Sequence, residues 1–131
     1  MLAEPNATVR RAMRRALEKA NYEVLETCNG EQAVNVCRRH SGPIHLLMSD
    51  ISLPGVHGPE LARLVTEMRP LIRVVFLTAE PEEANRQAGL CRGCWLLVRK
   101  PFRPSELARV LEELLRPNST PQILAQAGLA D

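Results

Sequence analysis

The sequence predicts an α/β fold in which a doubly wound parallel sheet carries helices on both faces. Segments with apolar residues at helical spacing alternate five times with short apolar segments that have the character of strands. Such alternation is typical of a parallel sheet whose strands are joined by helical crossovers. The strand segments are continuous apolar runs, as expected for strands that are covered on both faces.

The strands are predicted from runs of apolar and β-branched residues, and the first of them is the short apolar start of the chain. The predicted strands cover residues 1–3, 22–27, 44–50, 72–78 and 94–100.

The helices are predicted from apolar residues three or four positions apart. Pro59 and Pro81 stand at the start of two of them, where the missing N–H of proline costs no helical hydrogen bond. The residues expected on buried faces include Ala20 and Met68. The predicted helices cover residues 8–20, 30–40, 59–69, 81–90 and 104–116.

Length and composition limit the classes of protein to consider. A chain of 131 residues fits one domain and can bury a core of ordinary size. It has no apolar run near the roughly 18 residues of a membrane span and no charged-then-apolar leader, so we expect a cytoplasmic protein without membrane contact. The net charge of +2 is too small to indicate nucleic acid binding.

The four cysteines raise the question of a metal or redox site, because Cys91 and Cys94 form a CxxC pair. A zinc site needs two more ligands, and Cys28 and Cys37 are nine residues apart. A redox CxxC usually opens a helix, whereas this pair leads into an apolar strand. We therefore expect the cysteines to be reduced thiols that are buried as small apolar side chains in a protein of a reducing compartment.

Polar side chains follow four of the predicted strands: Glu4, Asp50, Thr78 and Lys100. In a doubly wound sheet, ligands bind outside the carboxyl ends of the strands, so these side chains are expected on one edge. Two carboxylates, a hydroxyl and an ammonium suit phosphoryl transfer to a carboxylate, with Asp50 as nucleophile. Lys100 is one of only two lysines among 17 basic residues, which favours a compact point charge at that position.

At this point the chain resembles the receiver domain of bacterial two-component response regulators, over residues 1–116. The resemblance rests on the segments LLMSDISLPGVHGPEL, VVFLTA and LLVRKPF. It implies a flavodoxin-like (βα)5 fold with strand order 2-1-3-4-5. It also implies a signalling protein that takes a phosphoryl group from a histidine kinase or a histidine phosphotransfer domain and relays it by a conformational change.

The resemblance assigns roles residue by residue. Asp50 corresponds to the phosphoacceptor, Thr78 to the switch hydroxyl and Lys100 to the lysine that pairs with the phosphoryl group. Glu4, Asp50 and the backbone carbonyl of Ser52 correspond to the ligands of Mg²⁺. Any catalysis would be limited to phosphorylation and dephosphorylation of the chain itself.

Two positions depart from the family pattern. Receivers usually carry two adjacent acids after the first strand, and here Pro5 stands where the second is expected, so Mg²⁺ should be held weakly. Leu97 stands where the family usually has the aromatic residue that moves with the switch threonine. Trp95 is on the same face of the strand but one pleat away.

Two alternatives come from other functional classes. A receiver-like domain that binds a protein without being phosphorylated stays open as an alternative, because Pro5 stands in place of the second acid. A phosphatase of the haloacid dehalogenase type also uses an aspartate nucleophile, but it needs an acid two residues later, where this chain has Ser52.

Residues 117–131 are predicted to be a tail or linker. They contain no helix-turn-helix, so we expect no nucleic acid binding by this chain itself. An effector domain or a partner protein would then carry the output, and the sequence leaves a homodimer open.

Overall fold

A computed structural model describes residues 1–80, 94–116 and 126–127 of the chain. The described strands are β1 Leu2–Ala3, β2 Glu26–Thr27, β3 Leu46–Asp50, β4 Arg73–Thr78, β5 Cys94–Arg99 and β6 Gln126–Ala127. The described helices are α1 Ala7–Lys19, α2 Gly30–Arg39, α3 Gly58–Met68 and α4 Pro104–Leu114. The predicted helix over residues 81–90 lies outside the described residues.

The strands form one sheet in the order β2-β1-β3-β4-β5-β6, and every neighbouring pair is parallel. The α/β class, the doubly wound sheet and the order 2-1-3-4-5 are therefore confirmed. The strand β6 was not predicted. It lies within the segment expected to be a tail or linker, and it pairs with β5 as a sixth strand at the edge.

Two apolar layers pack against the two faces of the sheet. On one face α1 and α4 contact each other, and their side chains share a core cluster with sheet residues that includes Met13, Met48, Val75, Leu107 and Leu111. On the other face α2 and α3 pack together over a second cluster that includes Ala33, Leu61, Val65, Phe76 and Leu97.

The expected core differs from the structure at its margins. Ala20 is exposed, and Met68 is 37% exposed. Both stand at the end of a helix, where the sheet covers a side chain incompletely. Of the segment 22–27, only Glu26–Thr27 forms a strand, because its partner β1 offers only two paired residues.

None of the helices in residues 1–80 and 94–116 is long and apolar enough to cross a membrane.

Candidate functional site

The carboxyl edge of the sheet brings Glu4, Asp50, Thr78 and Lys100 to the ends of four adjacent strands. Glu4 follows β1, Asp50 ends β3, Thr78 ends β4 and Lys100 follows β5. Parallel register aligns these ends, because Asp50 pairs with Leu77 and Thr78 pairs with Arg99. The predicted convergence on one edge is therefore observed.

Lys100 is the residue that joins the two carboxylates. Its Nζ atom donates to Asp50 Oδ2 at 2.8 Å and to the two oxygens of Glu4 at 3.2 and 3.4 Å. Its backbone N–H donates to the carbonyl of Thr78 at 2.7 Å, which fixes the end of β5 against β4. The Lys100–Pro101 peptide bond is cis.

The charge of Lys100 is stabilised by these neighbours. Partial burial lowers the pKa of Lys100 and is the largest single contribution. The hydrogen bond and charge of Asp50, followed by the charge of Glu4, outweigh it and raise the pKa above the ordinary value of 10.5. Lys100 is therefore an ammonium at neutral pH.

The two carboxylates differ in exposure. The side chain of Glu4 is only 1% exposed, whereas that of Asp50 is 15% exposed. A buried carboxylate is stable only when it is paired, and Glu4 has Lys100 together with a long contact from the N–H of Asn6 at 3.4 Å. Asp50 is the carboxylate that a reactant from solvent can reach.

Thr78 is buried at the end of β4, and its hydroxyl accepts the N–H of Glu80 at 3.0 Å. The hydroxyl therefore lies at the start of the loop that leaves the carboxyl edge. Ser52 is exposed, two residues after Asp50.

The predicted magnesium ligands can be tested against this geometry. Glu4 and Asp50 both lie within reach of one ammonium, so their hard oxygen donors converge, as a divalent cation requires. In the part of the chain that the structure describes, no group of three or more His, Cys, Asp or Glu side chains could hold a metal. Pro5 is exposed and offers no ligand. Two carboxylates fit a cation that keeps several waters.

Several residues around the site were not found by sequence reasoning. Arg10 donates to the carbonyl of Glu4 at 2.9 Å, and Asn6 caps α1 by accepting the N–H of Val9 at 3.1 Å. Gly58, at the start of α3, packs so closely that an added Cβ would lie 2.9 Å from the carbonyl oxygen of Asp50. The glycine in GPEL was the available signal, since glycine permits close approach of backbone.

Other expectations fall outside the site. Cys28 and Cys37 are free thiols, while Cys91 and the side chains of Cys94 and Trp95 lie outside the described residues. Leu97 is fully buried.

A cavity of about 600 Å³ lies away from Asp50. Its lining includes Tyr22, His40 and Leu46, whereas Glu4, Asp50 and Lys100 are not part of it. We place the candidate chemistry at the carboxyl edge because the charged groups converge there.

Comparison with known protein families gives one match over most of the chain. A family model described as the response regulator receiver domain matches residues 1–112.

Two similar curated proteins are bacterial regulators. The response regulator receiver protein CpdR of Brucella abortus is 36% identical over 116 residues, which cover 88% of this chain and 94% of that protein. The phosphate regulon transcriptional regulatory protein PhoB of Pseudomonas aeruginosa is 38% identical over 120 residues, covering 88% of this chain and 51% of that protein. The chain thus spans about half the length of some of the relatives that it matches.

Solved structures share the fold. The receiver domain of the sensor histidine kinase PA1611 from Pseudomonas aeruginosa superposes with a TM-score of 0.74 at 23% identity, covering 87% of this chain and 93% of that one. That structure has a magnesium ion coordinated in its active site cleft.

Proposed function

This chain belongs to the response regulator receiver domain family, the phosphoacceptor domains of two-component signalling, and from that premise we propose that Asp50 is its phosphoacceptor. The observation that carries the proposal is the ammonium of Lys100, which contacts both Asp50 and Glu4 at the carboxyl edge. A carboxylate held beside a fixed positive charge, and still open to solvent, suits attack on an anionic phosphoryl group.

The reaction is a transfer from a phosphohistidine to an aspartate. A carboxylate oxygen of Asp50 forms a bond to phosphorus while the bond between phosphorus and the imidazole nitrogen of the donor breaks. Lys100 then offsets the negative charge of the phosphoryl oxygens as a compact cation. Its contact with Asp50 at 2.8 Å supports this role, because the ammonium lies beside the carboxylate that would form the new bond.

Thr78 takes the role of a hydrogen-bond donor to the phosphoryl group. In the structure its hydroxyl oxygen accepts the N–H of Glu80, so the hydroxyl proton is available for another acceptor. A new bond from Thr78 to the phosphoryl group would change the start of the loop after β4, which supports a switch role for this residue.

Magnesium binding is the second part of the proposal. Receiver domains bind Mg²⁺ in their active sites, and the carboxylates of Glu4 and Asp50 with the carbonyl of Ser52 would hold it here. When bound, the ion offsets charge on the phosphoryl oxygens. We expect weak binding, because Glu4 and Asp50 share the charge of Lys100 and residue 5 supplies no carboxylate.

The partners follow from the family. Receiver domains interact with histidine kinases and effector domains, and we propose a histidine kinase or a histidine phosphotransfer domain as the phosphoryl donor of this chain. Arg11 and Arg15 are exposed on α1, and we interpret them as part of a solvated face rather than as a contact for an acidic partner.

The remaining assignments stay predictions. We propose residues 1–116 as the receiver unit, a cytoplasmic location, an output carried by an effector domain or partner protein, and no enzymatic activity beyond the chain's own phosphorylation and dephosphorylation. The similar proteins described above give no support to a haloacid dehalogenase-type phosphatase. A phosphorylation-independent binding role is the outcome to consider if the following experiment fails.

The experiment uses the scarcity of aspartate in this chain. Asp50 and Asp131 are the only two aspartates, so an aspartyl phosphate can form at only two places. Incubation with acetyl phosphate and Mg²⁺ should add one phosphoryl group, measured by intact-protein mass spectrometry and removed by hydroxylamine. Asp50→Asn should abolish the addition, and the matched control Asp131→Asn should leave it unchanged. Addition that persists in Asp50→Asn would contradict the proposal.

A further inference from the structure

The cavity of about 600 Å³ lies at the amino edge of the sheet, opposite the candidate site, and the proposed function does not use it. Part of its lining comes from residues 21–25, which lead into β2, and from residues 40–46, which lead into β3. The leucines Leu17, Leu111 and Leu115, from α1 and the end of α4, line it as well. The cavity therefore lies among the segments that enter the sheet.

The position of the cavity follows from the shortness of β1. The strand Leu2–Ala3 lies between β2 and β3 and pairs with each of them through two residues only. Because β1 lies between them, β2 and β3 are two strand spacings apart, about 9.5 Å. Before β1 begins, the segments that lead into β2 and β3 are too far apart to pair with each other. The cavity continues the line of β1 through this gap.

On the β3 side, the hydrogen-bond pattern identifies the backbone groups that face the cavity. The carbonyl of Leu46 accepts from the amino group of Met1 at 2.7 Å, whereas the carbonyl of His45 accepts the N–H of Arg73 in β4 at 3.1 Å. In a parallel strand both backbone groups of one residue point to one side, and successive residues point to opposite sides. The N–H of Leu46 and the carbonyl of Ile44 therefore face the cavity.

The β2 side has the matching pattern. The carbonyl of Leu25 accepts the N–H of Leu2 at 2.8 Å, so the N–H of Leu25 and, two residues earlier, the carbonyl of Glu23 face the same cavity. None of the four groups that face the cavity forms a backbone hydrogen bond within residues 1–80 and 94–116. Unpaired N–H and C=O groups along a strand are a template for a further strand, and here they line both sides of one gap.

The side chains around the cavity specify what such a strand would carry. Leu2 belongs to the apolar cluster under α1 and α4, whereas Met1 packs against the cluster on the other face of the sheet. A segment that continues the line of β1 would therefore alternate between two apolar layers, and on one face it would meet Leu17, Leu111 and Leu115. Aliphatic side chains suit this position, because a charge there would be buried without a partner.

We propose that this cavity is an acceptor site for an extended aliphatic segment of a partner protein, which joins the sheet as a parallel strand between residues 22–25 and 44–46. About three or four residues fit, since residues 22–25 span about 13 Å at about 3.3 Å per residue. Strand addition is a common mode of peptide recognition, and here two strand edges are paired at once. The aliphatic strands that the structure describes are buried in this chain's own core, so the segment comes from a partner rather than from a second copy. The proposal goes beyond phosphorylation and does not depend on it.

A titration of the full chain with the peptide acetyl-KKVLV tests the proposal, because its three aliphatic residues fit the cavity and its lysines stay in solvent. We expect a Kd of about 100 μM or tighter from amide chemical shifts. The N–H groups of Leu25 and Leu46 should exchange at least about tenfold more slowly with peptide bound. The N–H of Val24, which points to the other side of the segment, is the internal control and should not gain protection.

Matched peptides and protein variants make the result specific to the cavity. The peptide acetyl-KKVKV, which carries a charge at the central position, should bind about tenfold more weakly or worse. Leu115→Arg changes a half-buried residue of the lining and should weaken binding of acetyl-KKVLV by about tenfold. Leu71→Arg is the matched control, because Leu71 is 93% exposed and is not part of the lining, so binding should stay unchanged.

A chain lengthened by the residues KKVLV directly before Met1 gives the second test. The added residues should fill the cavity, protect the N–H groups of Leu25 and Leu46, and abolish binding of the peptide. Unchanged peptide binding by the lengthened chain would overturn the proposal, as would the absence of shifts at these amides at about 1 mM peptide. Protection that rises with protein concentration without peptide would also overturn it, because the added strand would then come from a second copy.

Discussion

Lys100 is the residue that balances charge at the candidate site. It contacts the almost fully buried carboxylate of Glu4 and the partly exposed carboxylate of Asp50 through one ammonium. The loss of that ammonium would leave a buried negative charge beside a second one, which is costly in the low dielectric of a protein interior. The same residue thus serves stability and the proposed chemistry.

This arrangement predicts that the folded state loses stability as the pH becomes alkaline. The folded-state pKa of Lys100 is raised above 10.5, so the folded protein holds this proton more tightly than the unfolded chain. The stabilisation is fully present below the unfolded pKa and is lost as the pH rises through the folded pKa. Urea denaturation above pH 10 should show a steeper loss of unfolding free energy in the unmodified chain than in Lys100→Met.

Two comparisons make that measurement specific. Burial, followed by the charge of Glu112, raises the pKa of Tyr22, so deprotonation of Tyr22 also destabilises the folded state at alkaline pH. Tyr22 is present in both proteins, so its contribution does not distinguish them. Lys19→Met removes the only other lysine, at the exposed end of α1, and should change stability by less than about 0.5 kcal/mol. Equal pH slopes for the unmodified chain and Lys100→Met would show that the ion pairs do not contribute.

Pro5 is the residue at which this chain lacks a carboxylate of the family pattern. Pro5→Asp should place a second acid beside Glu4 and tighten Mg²⁺ binding by about 10- to 100-fold, or about 1.4 to 2.7 kcal/mol. Phosphorylation by acetyl phosphate should accelerate as well. Calorimetric titration measures the affinity, and Pro5→Ala is the control because it removes the ring without adding charge. Tight binding by the unmodified chain would mean that another group supplies the missing carboxylate.

At the scale of elements, the packing of α3 against the end of β3 positions Asp50. Gly58 begins α3, its N–H donates to the carbonyl of Ile51 at 3.1 Å, and an added Cβ would lie 2.8 Å from the Cα of Ile51. The close contact is with backbone, which cannot rotate away as a side chain can. The start of α3 therefore depends on glycine at this position.

Gly58→Ala should accordingly cost about 1–3 kcal/mol of unfolding free energy and slow phosphorylation of Asp50, because α3 must shift away from the loop. Thermal or urea denaturation together with the acetyl phosphate assay measures both effects. Gly42→Ala is the matched control, since its nearest neighbour is the imidazole of His40 at 3.2 Å, which can move. Similar losses in the two variants would show that the contact with β3 is not the cause.

A second tie at this scale joins α3 to the end of α2. The guanidinium of Arg69 donates to the carbonyls of Cys37, His40 and Gly42, at 2.8 to 3.3 Å. These carbonyls lie at and beyond the end of a helix, where they have no helical partner. Arg69 thereby fixes the segment that leads into β3, the strand that carries Asp50.

At the scale of the whole molecule, the question is how a change at Asp50 reaches the far side of β5. Thr78 and Leu97 lie on neighbouring strands, and Leu97 is fully buried in the same cluster as Phe76. A buried leucine has no ring to rotate between an outer and an inner position. The resemblance to receivers therefore predicts a reduced version of the family's switch.

Beryllofluoride, which mimics the phosphoryl group, tests this expectation. Amide spectra should change around Asp50, Thr78 and Lys100, with only small shifts on the outer face of β5. Asp50→Asn with beryllofluoride is the control for non-specific effects. Large shifts at Leu97 or Trp95 would show that another side chain has taken the role of the missing aromatic.

The sequence by itself determined the class of fold and showed which polar residues follow the strands. Apolar periodicity located the strands, and the polar residues after them, Glu4, Asp50, Thr78 and Lys100, could be assigned to one edge because parallel strands end on the same side. The two departures from the family pattern, Pro5 in place of the second acid and Leu97 in place of the switch aromatic residue, were also visible in the sequence. These features are local, so they need no knowledge of distances.

Only the tertiary structure decided how those residues interact. That Glu4 is almost fully buried, and that Lys100 contacts both carboxylates, depends on the packing of chain segments up to 96 residues apart. The same holds for Gly58 against Asp50 and for β6 against β5, since neither contact has a periodic signal in the sequence. Spacing along a chain specifies which face of an element a residue occupies, whereas the approach of two elements is fixed by how all their side chains pack together.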